Sequence, residues 1–337
     1  MSTKLGLTLF AFLFTVVAGL SWWGIHKEER PATPTHHVAL ELKVPTEFRF
    51  VAFGDTRFHD PLDTQPADPA VRKALVAAID QEHPQFVSIG GDIVYSGDNA
   101  NDWAVWDTET KAWRDHSIPV YPALGNHDLK GNLNTALGNY FARFPQLDNS
   151  RFYSVRTGNS LMLILDSSLD ETTGPQGDWL RDQLDALPAG LDFVFLVLHH
   201  PLYTSSSGEK IHGGGHSARS PEQALAKMLE EKQKQSHARI IVFSGHVHNY
   251  ERHEHNGVTY FVTGGGGARP YIIPRAPGDL YKDPGINYHY LVVLVRPNSV
   301  EITMNKLELK DGKELWSRPD SVTLMPPAPV PAGAHAH

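Results

Sequence analysis

Eight polar side chains fall, in chain order, where a metal ion or a phosphate could be held: Asp55, Asp92, Tyr95, Asn126, His127, His199, His246 and His248. Carboxylates, an amide oxygen, a phenol and imidazoles make a mixed nitrogen and oxygen donor set, which suits ions such as zinc, iron and manganese. The chain has no cysteine, so disulfides and thiolate sites are ruled out and any metal must sit on donors of this kind. The set exceeds what one tetrahedral ion needs and implies two, for which a shared carboxylate is the usual bridge at about 3.5–4 Å separation. Such a pair can lower the pKa of a bound water, so metal-assisted hydrolysis is the chemistry to expect. Each residue alone is a weak signal, since an Asp after a glycine is often a turn residue and a single His is often structural. His246 and His248 would point to opposite faces of an extended segment unless the backbone turns, which Gly245 permits. The joint occurrence in this order carries the argument.

The elements that must position these groups alternate. A strand over 48–53 ends at Gly54-Asp55, and a short buried strand over 86–89 ends at Gly90-Gly91-Asp92. Residues 119–124 lead to Gly125-Asn126-His127-Asp128, 193–198 to His199-His200, and 239–243 to Gly245-His246-Val247-His248. Between them, Val71, Ala74, Leu75, Ala78 and Ile79 repeat at helical spacing, as do Trp179, Leu180, Gln183, Leu184 and Leu187. A third helix is expected around Leu225, Met228 and Leu229, and a hairpin over 151–155 and 160–165. Later strands are expected at 259–262, 290–295 and 300–305. Ligands of open α/β sheets lie beyond the carboxyl ends of strands. Five such strands side by side would converge their side chains at one edge. No 20–50-residue repeat is present, which excludes a solenoid.

The motifs Gly54-Asp55-Thr56-Arg57, Gly91-Asp92-Ile93-Val94-Tyr95, Gly125-Asn126-His127-Asp128, His199-His200-Pro201-Leu202-Tyr203 and Gly245-His246-Val247-His248-Asn249-Tyr250-Glu251-Arg252 stand in this order. Together with Trp179-Leu180 and the Gly264–Gly267 run, they resemble the calcineurin-like metallophosphoesterases, and within them the purple acid phosphatases, over residues 46–305. The resemblance implies an α/β fold with a two-sheet β-sandwich core flanked by helices and ligands on strand-end loops. It implies a first ion on Asp55, Asp92, Tyr95 and His248. A second would sit on Asn126, His199 and His246, with Asp92 bridging. Iron(III) paired with zinc, manganese or iron(II) is the implied metal pair. His127 would contact the phosphate and protonate the leaving group, with Asp128 orienting its ring and His212 on the phosphate side. Arg57 departs from the pattern, which has His or Gly there. Its guanidinium is expected either on the phosphate or in a surface ion pair, with Tyr95 replacing the missing ligand.

By the same resemblance, a metal-bound hydroxide attacks phosphorus in line, without a covalent enzyme intermediate. A phosphomonoesterase of acid-phosphatase type is expected, and a phosphodiesterase or nucleotidase on the same site is the rival. A non-catalytic binding module on this fold would lack ligands or the acid, and both are here. A membrane-associated interaction protein would rest its specificity on the low-complexity ends, which carry little. The wall of the site is expected at 269–287, where Arg269, Arg275 and Lys282 face Asp279 and Asp283, a balance suited to small phosphate esters. A net charge of −8 without a long basic run argues against nucleic acid as a partner.

Lys4 precedes an apolar run from Leu5 to Leu20, then Trp22 and Trp23, close to the roughly 20 residues that span a bilayer. Residues 1–25 read as a signal peptide or signal anchor, which places the catalytic domain in a periplasmic or extracellular space. It would stay tied to the membrane if the segment is uncleaved. Residues 26–45 read as a linker, 46–325 as the catalytic domain and 326–337 as a disordered Pro/Ala-rich tail. His253 and His255 read as solvated, and His116 and His289 as structural.

Overall fold

The computed structural model describes residues 35–206 and 218–328. In chain order the first half forms β1 (Ala39–Leu42), β2 (Phe48–Phe53), α1 (Pro69–Gln81), β3 (Val87–Ile89), α2 (Ala100–Glu109), α3 (Lys111–Asp115), β4 (Val120–Pro122), α4 (Leu133–Arg143), β5 (Tyr153–Thr157) and β6 (Ser160–Ile164). There follow α5 (Gly174–Asp185), β7 (Phe193–Leu198), α6 (Ser220–Gln233), β8 (Arg239–Ser244), β9 (Tyr250–His255), β10 (Val258–Thr263), β11 (Tyr288–Arg296), β12 (Ser299–Lys310), β13 (Lys313–Ser317) and β14 (Ser321–Leu324). One sheet has the order β1-β5-β6-β7-β8-β10-β9, the other β13-β12-β11-β2-β3-β4, with β14 also on β12.

The sequence of β7, FVFLVL, shows why the sheets stack. Successive side chains leave a strand on opposite faces, and all six are buried. Phe193, Phe195 and Val197 enter the core between the sheets, while Val194, Leu196 and Leu198 join an outer core with Trp179 and Leu180 of α5 and Leu225 and Leu229 of α6. Across the sandwich, Phe50 of β2 meets Phe195 edge-on at 5.1 Å. Asp68 caps α1 by accepting from the N–H groups of Ala70 and Val71, and Pro69 suits the first helical position. The two-sheet core flanked by helices is the architecture expected.

Three expectations are corrected. The five ligand-bearing strands do not share one sheet: β2, β3 and β4 are parallel neighbours in one, β7 and β8 in the other. The site lies where the carboxyl ends of the two groups meet. The linker is partly built into the fold, because β1 pairs in parallel with β5 and its Leu40 and Leu42 pack on the core. The segment after Asn249 is not a solvated run but β9, antiparallel to β10, and His253 is buried there beside Glu251 at 3.2 Å. Residues 1–34, His212 and residues 329–337 lie outside the described residues. Among the described residues, no helix is long and apolar enough to cross a membrane.

Candidate metal centre

The loops that carry the donors bend sharply as they leave their strands. Asp55, Asp92 and His246 have φ of 59°, 53° and 68°, the left-handed region that residues other than glycine seldom adopt. Neighbouring loops hold them there. Asp55 N donates to Gly91 O at 3.0 Å, Arg57 N to Asp92 O at 2.9 Å and Phe58 N to Ile93 O at 2.7 Å. Gly91 has φ 87°, and a Cβ on it would meet Gly125 N at 2.7 Å and His199 Nδ1 at 2.8 Å. A Cβ on Gly245 would lie 2.4 Å from Asp55 Oδ2. The glycines of the motifs are therefore needed for close approach of backbone to donor.

Asp55, Asp92 and His199 are fully buried, and one donor atom from each lies within 4.8 Å of the others. His199 Nδ1 is 2.8 Å from Gly90 O, which leaves Nε2 at 3.0 Å from Asn126 Oδ1 and 3.4 Å from Asp92 Oδ1. His246 brings Nδ1 to 3.1 Å from both Asn126 Oδ1 and His199 Nε2, while its N–H donates to Asp55 Oδ2 at 2.8 Å. His248 Nδ1 is 2.6 Å from Arg269 O, and its Nε2 faces Asp55 Oδ1 at 3.4 Å. A ring nitrogen donating to a carbonyl fixes the tautomer and turns the other lone pair to the site, as in metal-ligating histidines.

Asp55 Oδ1 and His248 Nε2 are sealed from solvent and have no hydrogen-bond partner, a costly state for polar atoms. Burial raises Asp55 to about 7, with the charge of Asp92 adding to the rise and that of His199 opposing it. Burial acts the same way on Asp92, but the charges of His199, Arg57 and His127 outweigh it and hold that carboxyl below its usual range. Burial lowers His248 to about 3, so its ring is neutral, the form that ligates a metal. Two sealed carboxylates, three imidazoles and an amide oxygen fit a pair of cations, which would satisfy both orphaned atoms.

The remaining residues named from sequence are placed as follows. His127 lies at the rim, its N–H on Asp92 Oδ1 at 2.8 Å and its Nδ1 2.7 Å from Tyr95 O. Burial lowers its ring to about 4. Asp128 does not hold that ring: its oxygens accept from the N–H groups of Ile93, Val94 and Gly125 at 2.9, 3.2 and 2.9 Å. It ties two ligand loops together instead, because buried N–H groups at their tips need an acceptor. The Tyr95 ring packs on His59 and His127, with the Lys130 ammonium 3.9 Å from its centre. The tyrosine whose ring lies flat on His248, at 4.4 Å, is Tyr271 from the expected wall. Arg57 forms an ion pair with Asp92 inside the site rather than at the surface. The Gly264–Gly267 run is a tight loop, with Gly264 N on Asn249 O and Gly266 N on Gly54 O. Sequence reasoning gave Asn249 no role, yet its side chain bonds Tyr271 O, Gly285 O, Arg275 and Asn287, and so organises the wall. Its only sequence signal was its place inside the last motif.

A family profile described as calcineurin-like phosphoesterase matches residues 48–250. The chain is similar to a phosphoenolpyruvate phosphatase of Allium cepa, 22% identical over 284 residues, which span 73% of this chain and 56% of that one. It is also similar to a probable cyclic nucleotide phosphodiesterase of Psychrobacter arcticus, 28% identical over 184 residues, or 51% of this chain and 61% of the other. The chain thus spans less than two thirds of the length of either curated relative. Its fold is similar to that of a purple acid phosphatase from yellow lupin (Lupinus luteus) seeds, with a TM-score of 0.64 and 20% identity over 84% of this chain and 54% of that one.

Proposed function

Because this chain belongs to the calcineurin-like phosphoesterase family, we propose that it hydrolyses phosphate esters with the help of two metal ions. One observation carries the reading: Asp55, Asp92 and His199 converge in a sealed site that also holds two orphaned atoms, Asp55 Oδ1 and His248 Nε2. Asp55, Asp92 and His248 would hold one ion, and Asp92, Asn126, His199 and His246 the other. The resemblance to purple acid phosphatases favours iron(III) with zinc, manganese or iron(II), and the mixed nitrogen and oxygen donors suit zinc, iron and manganese. Bound there, two cations would neutralise the ester and make a water acidic enough to attack phosphorus. With Nδ1 spent on the Tyr95 carbonyl, His127 keeps Nε2 to carry the proton for the departing oxygen. In place of the ligand role expected from sequence, Tyr95 is assigned to positioning His127, whose ring it packs on and whose Nδ1 meets its carbonyl, and Tyr271 to the wall beside His248.

Phosphomonoesters are the proposed substrates. The mixed charge of the wall supports this, as does the similarity to the onion phosphatase. The bacterial relative favours a diesterase as the second reading. Paired aryl monoester and diester substrates, each at its best pH, decide between them. A higher kcat/KM on the monoester is expected, and a diester preference of about tenfold or more, beyond what small pocket differences give, would reverse the choice. Hydrolysis of neither by metal-loaded protein would sink the enzyme reading. The domain is placed outside the cytoplasm on the strength of Lys4 and the apolar run after it. Recovery of intact, uncleaved protein in the soluble cytoplasmic fraction would refute that placement.

A further inference from the structure

Arg57 stands where the motif departs from the pattern it resembles, and its side chain is aimed at the carboxylate expected to be shared. Its Nε and Nη2 lie 3.2 and 3.0 Å from Asp92 Oδ2. Asp92 is fully buried and the Arg57 side chain is 14% exposed. The other oxygen, Oδ1, accepts from His127 N at 2.8 Å and lies 3.4 Å from His199 Nε2. The two oxygens of Asp92 thus have different neighbours: Oδ1 the Asn126, His199 and His246 side, Oδ2 a guanidinium.

The guanidinium is held there by its backbone. Arg57 has φ 44°, and its N–H donates to Asp92 O at 2.9 Å. From below, Arg72 reaches the carbonyls of Arg57 and His59 at 3.5 and 3.4 Å. Arg72 is itself buried and clamped by both oxygens of Glu109, at 2.7 and 2.8 Å. A buried, paired arginine is thus spent on fixing the loop that presents a second arginine to the site.

A guanidinium keeps its charge and has no lone pair to give a metal. On Asp92 Oδ2 it competes for the oxygen that an ion on Asp55 and His248 would share, and it repels that ion at short range. We infer that Arg57 makes the two metal positions unequal: the ion on Asp92 Oδ1, Asn126, His199 and His246 binds tightly, and the ion on Asp55 and His248 binds only by displacing the guanidinium from Asp92. Once displaced, the fork has lost its carboxylate and stands beside the place for the ester, whose phosphate oxygens match its geometry. The inference rests on the two-metal reading above.

The test is titration of chelator-stripped, full-length protein with Mn(II), followed by calorimetry and by metal content after equilibrium dialysis. Wild type should show a tight and a weak class of site. Arg57→Gln should tighten the weak class by about 10- to 100-fold, the range that groups touching a metal ligand carry, and leave the tight class alone. Arg57→Lys keeps the charge but not the fork and should fall between. Inorganic phosphate should bind the metal-loaded Gln variant more weakly than wild type. Should the Gln variant fail to fold, the Lys variant must still tighten the weak class. Equal sites in wild type, or a weak class unmoved in the folded variants, would overturn the inference and leave the enzyme reading standing. Wild type that takes up no Mn(II) would sink both.

Discussion

What each imidazole can do is decided by the nitrogen it spends elsewhere. His199 and His248 give Nδ1 to the carbonyls of Gly90 and Arg269, so both present Nε2 to the carboxylates. His127 gives Nδ1 to Tyr95 O and lies outside that cluster, which suits proton transfer rather than ligation. His127→Ala should therefore lower kcat/KM on alkyl phosphates by about 10²- to 10⁴-fold, the usual share of a positioned general acid. On an aryl ester of an acidic phenol the loss should be far smaller, because that group departs without a proton. Equal losses on both substrates would assign His127 to phosphate binding instead. The residues proposed here as donors could be read from the motifs, which also offered Tyr95. The role of Asp128 could not, since the resemblance sets it on the His127 ring, whereas its oxygens accept from the backbone N–H groups of Ile93, Val94 and Gly125.

Between elements, one buried group stands out beyond the metal centre. Glu171, in the loop between β6 and α5, has both carboxylate oxygens buried and without a hydrogen-bond partner. Burial raises it to about 8, with the charge of Glu222 in the first turn of α6 adding to the rise. The folded protein thus keeps a proton that an unfolded chain gives up near 4.5. Stability from this group is complete below that lower value and is lost as pH rises toward about 8, because the folded state binds more protons across the window. Glu171→Gln cannot ionise and should lack this loss. By urea unfolding it should gain on wild type between pH 5 and pH 9, by on the order of 3 kcal/mol. Parallel pH profiles for the two proteins would count against a buried proton at Glu171. The helices α2, α3 and α4 show how far the sequence reaches at this scale. Trp103 and Trp106 of α2, Trp113 of α3, Tyr140 of α4 and Phe144 just beyond it pack edge-on in one cluster. The short α2 and α3 carry no apolar stripe of period 3.6 for a local reading to detect, whereas Leu133, Ala136, Leu137, Tyr140 and Phe141 of α4 stand at helical spacing and were legible in the sequence.

For the molecule as a whole, the proposed donors come from two sheets. Asp55, Asp92 and Asn126 follow β2, β3 and β4, whereas His199, His246 and His248 follow β7 and β8. Bound metal would therefore tie one sheet to the other and relieve the buried carboxylates. Chelation should lower the unfolding temperature, and metal at about 100 times its Kd should restore about 2.7 kcal/mol. That corresponds to several degrees for a domain of this size. His199→Ala should show much less of the effect. An unfolding temperature that ignores both chelator and metal would contradict a metal bridge between the sheets.

The sequence by itself determined which polar side chains stand at the strand ends, the strands that deliver them and the loops that need glycine. Those signals are local: an apolar run of strand length, a glycine, then a polar side chain. It also identified α1, α5 and α6, whose apolar residues repeat at helical spacing. Only the tertiary structure decided that the five strands divide between two sheets, that β1 and β9 are edge strands, and that Arg57 pairs with Asp92. The division between sheets, the place of β1 and the Arg57 pair depend on partners distant in the chain, 35 residues away for Arg57 and Asp92 and 73 for Asn126 and His199, whereas β9 pairs locally with β10 across Asn256-Gly257. Strand pairing and buried hydrogen bonds go to whichever group packing brings within reach, and sequence neighbours do not reveal which group that is.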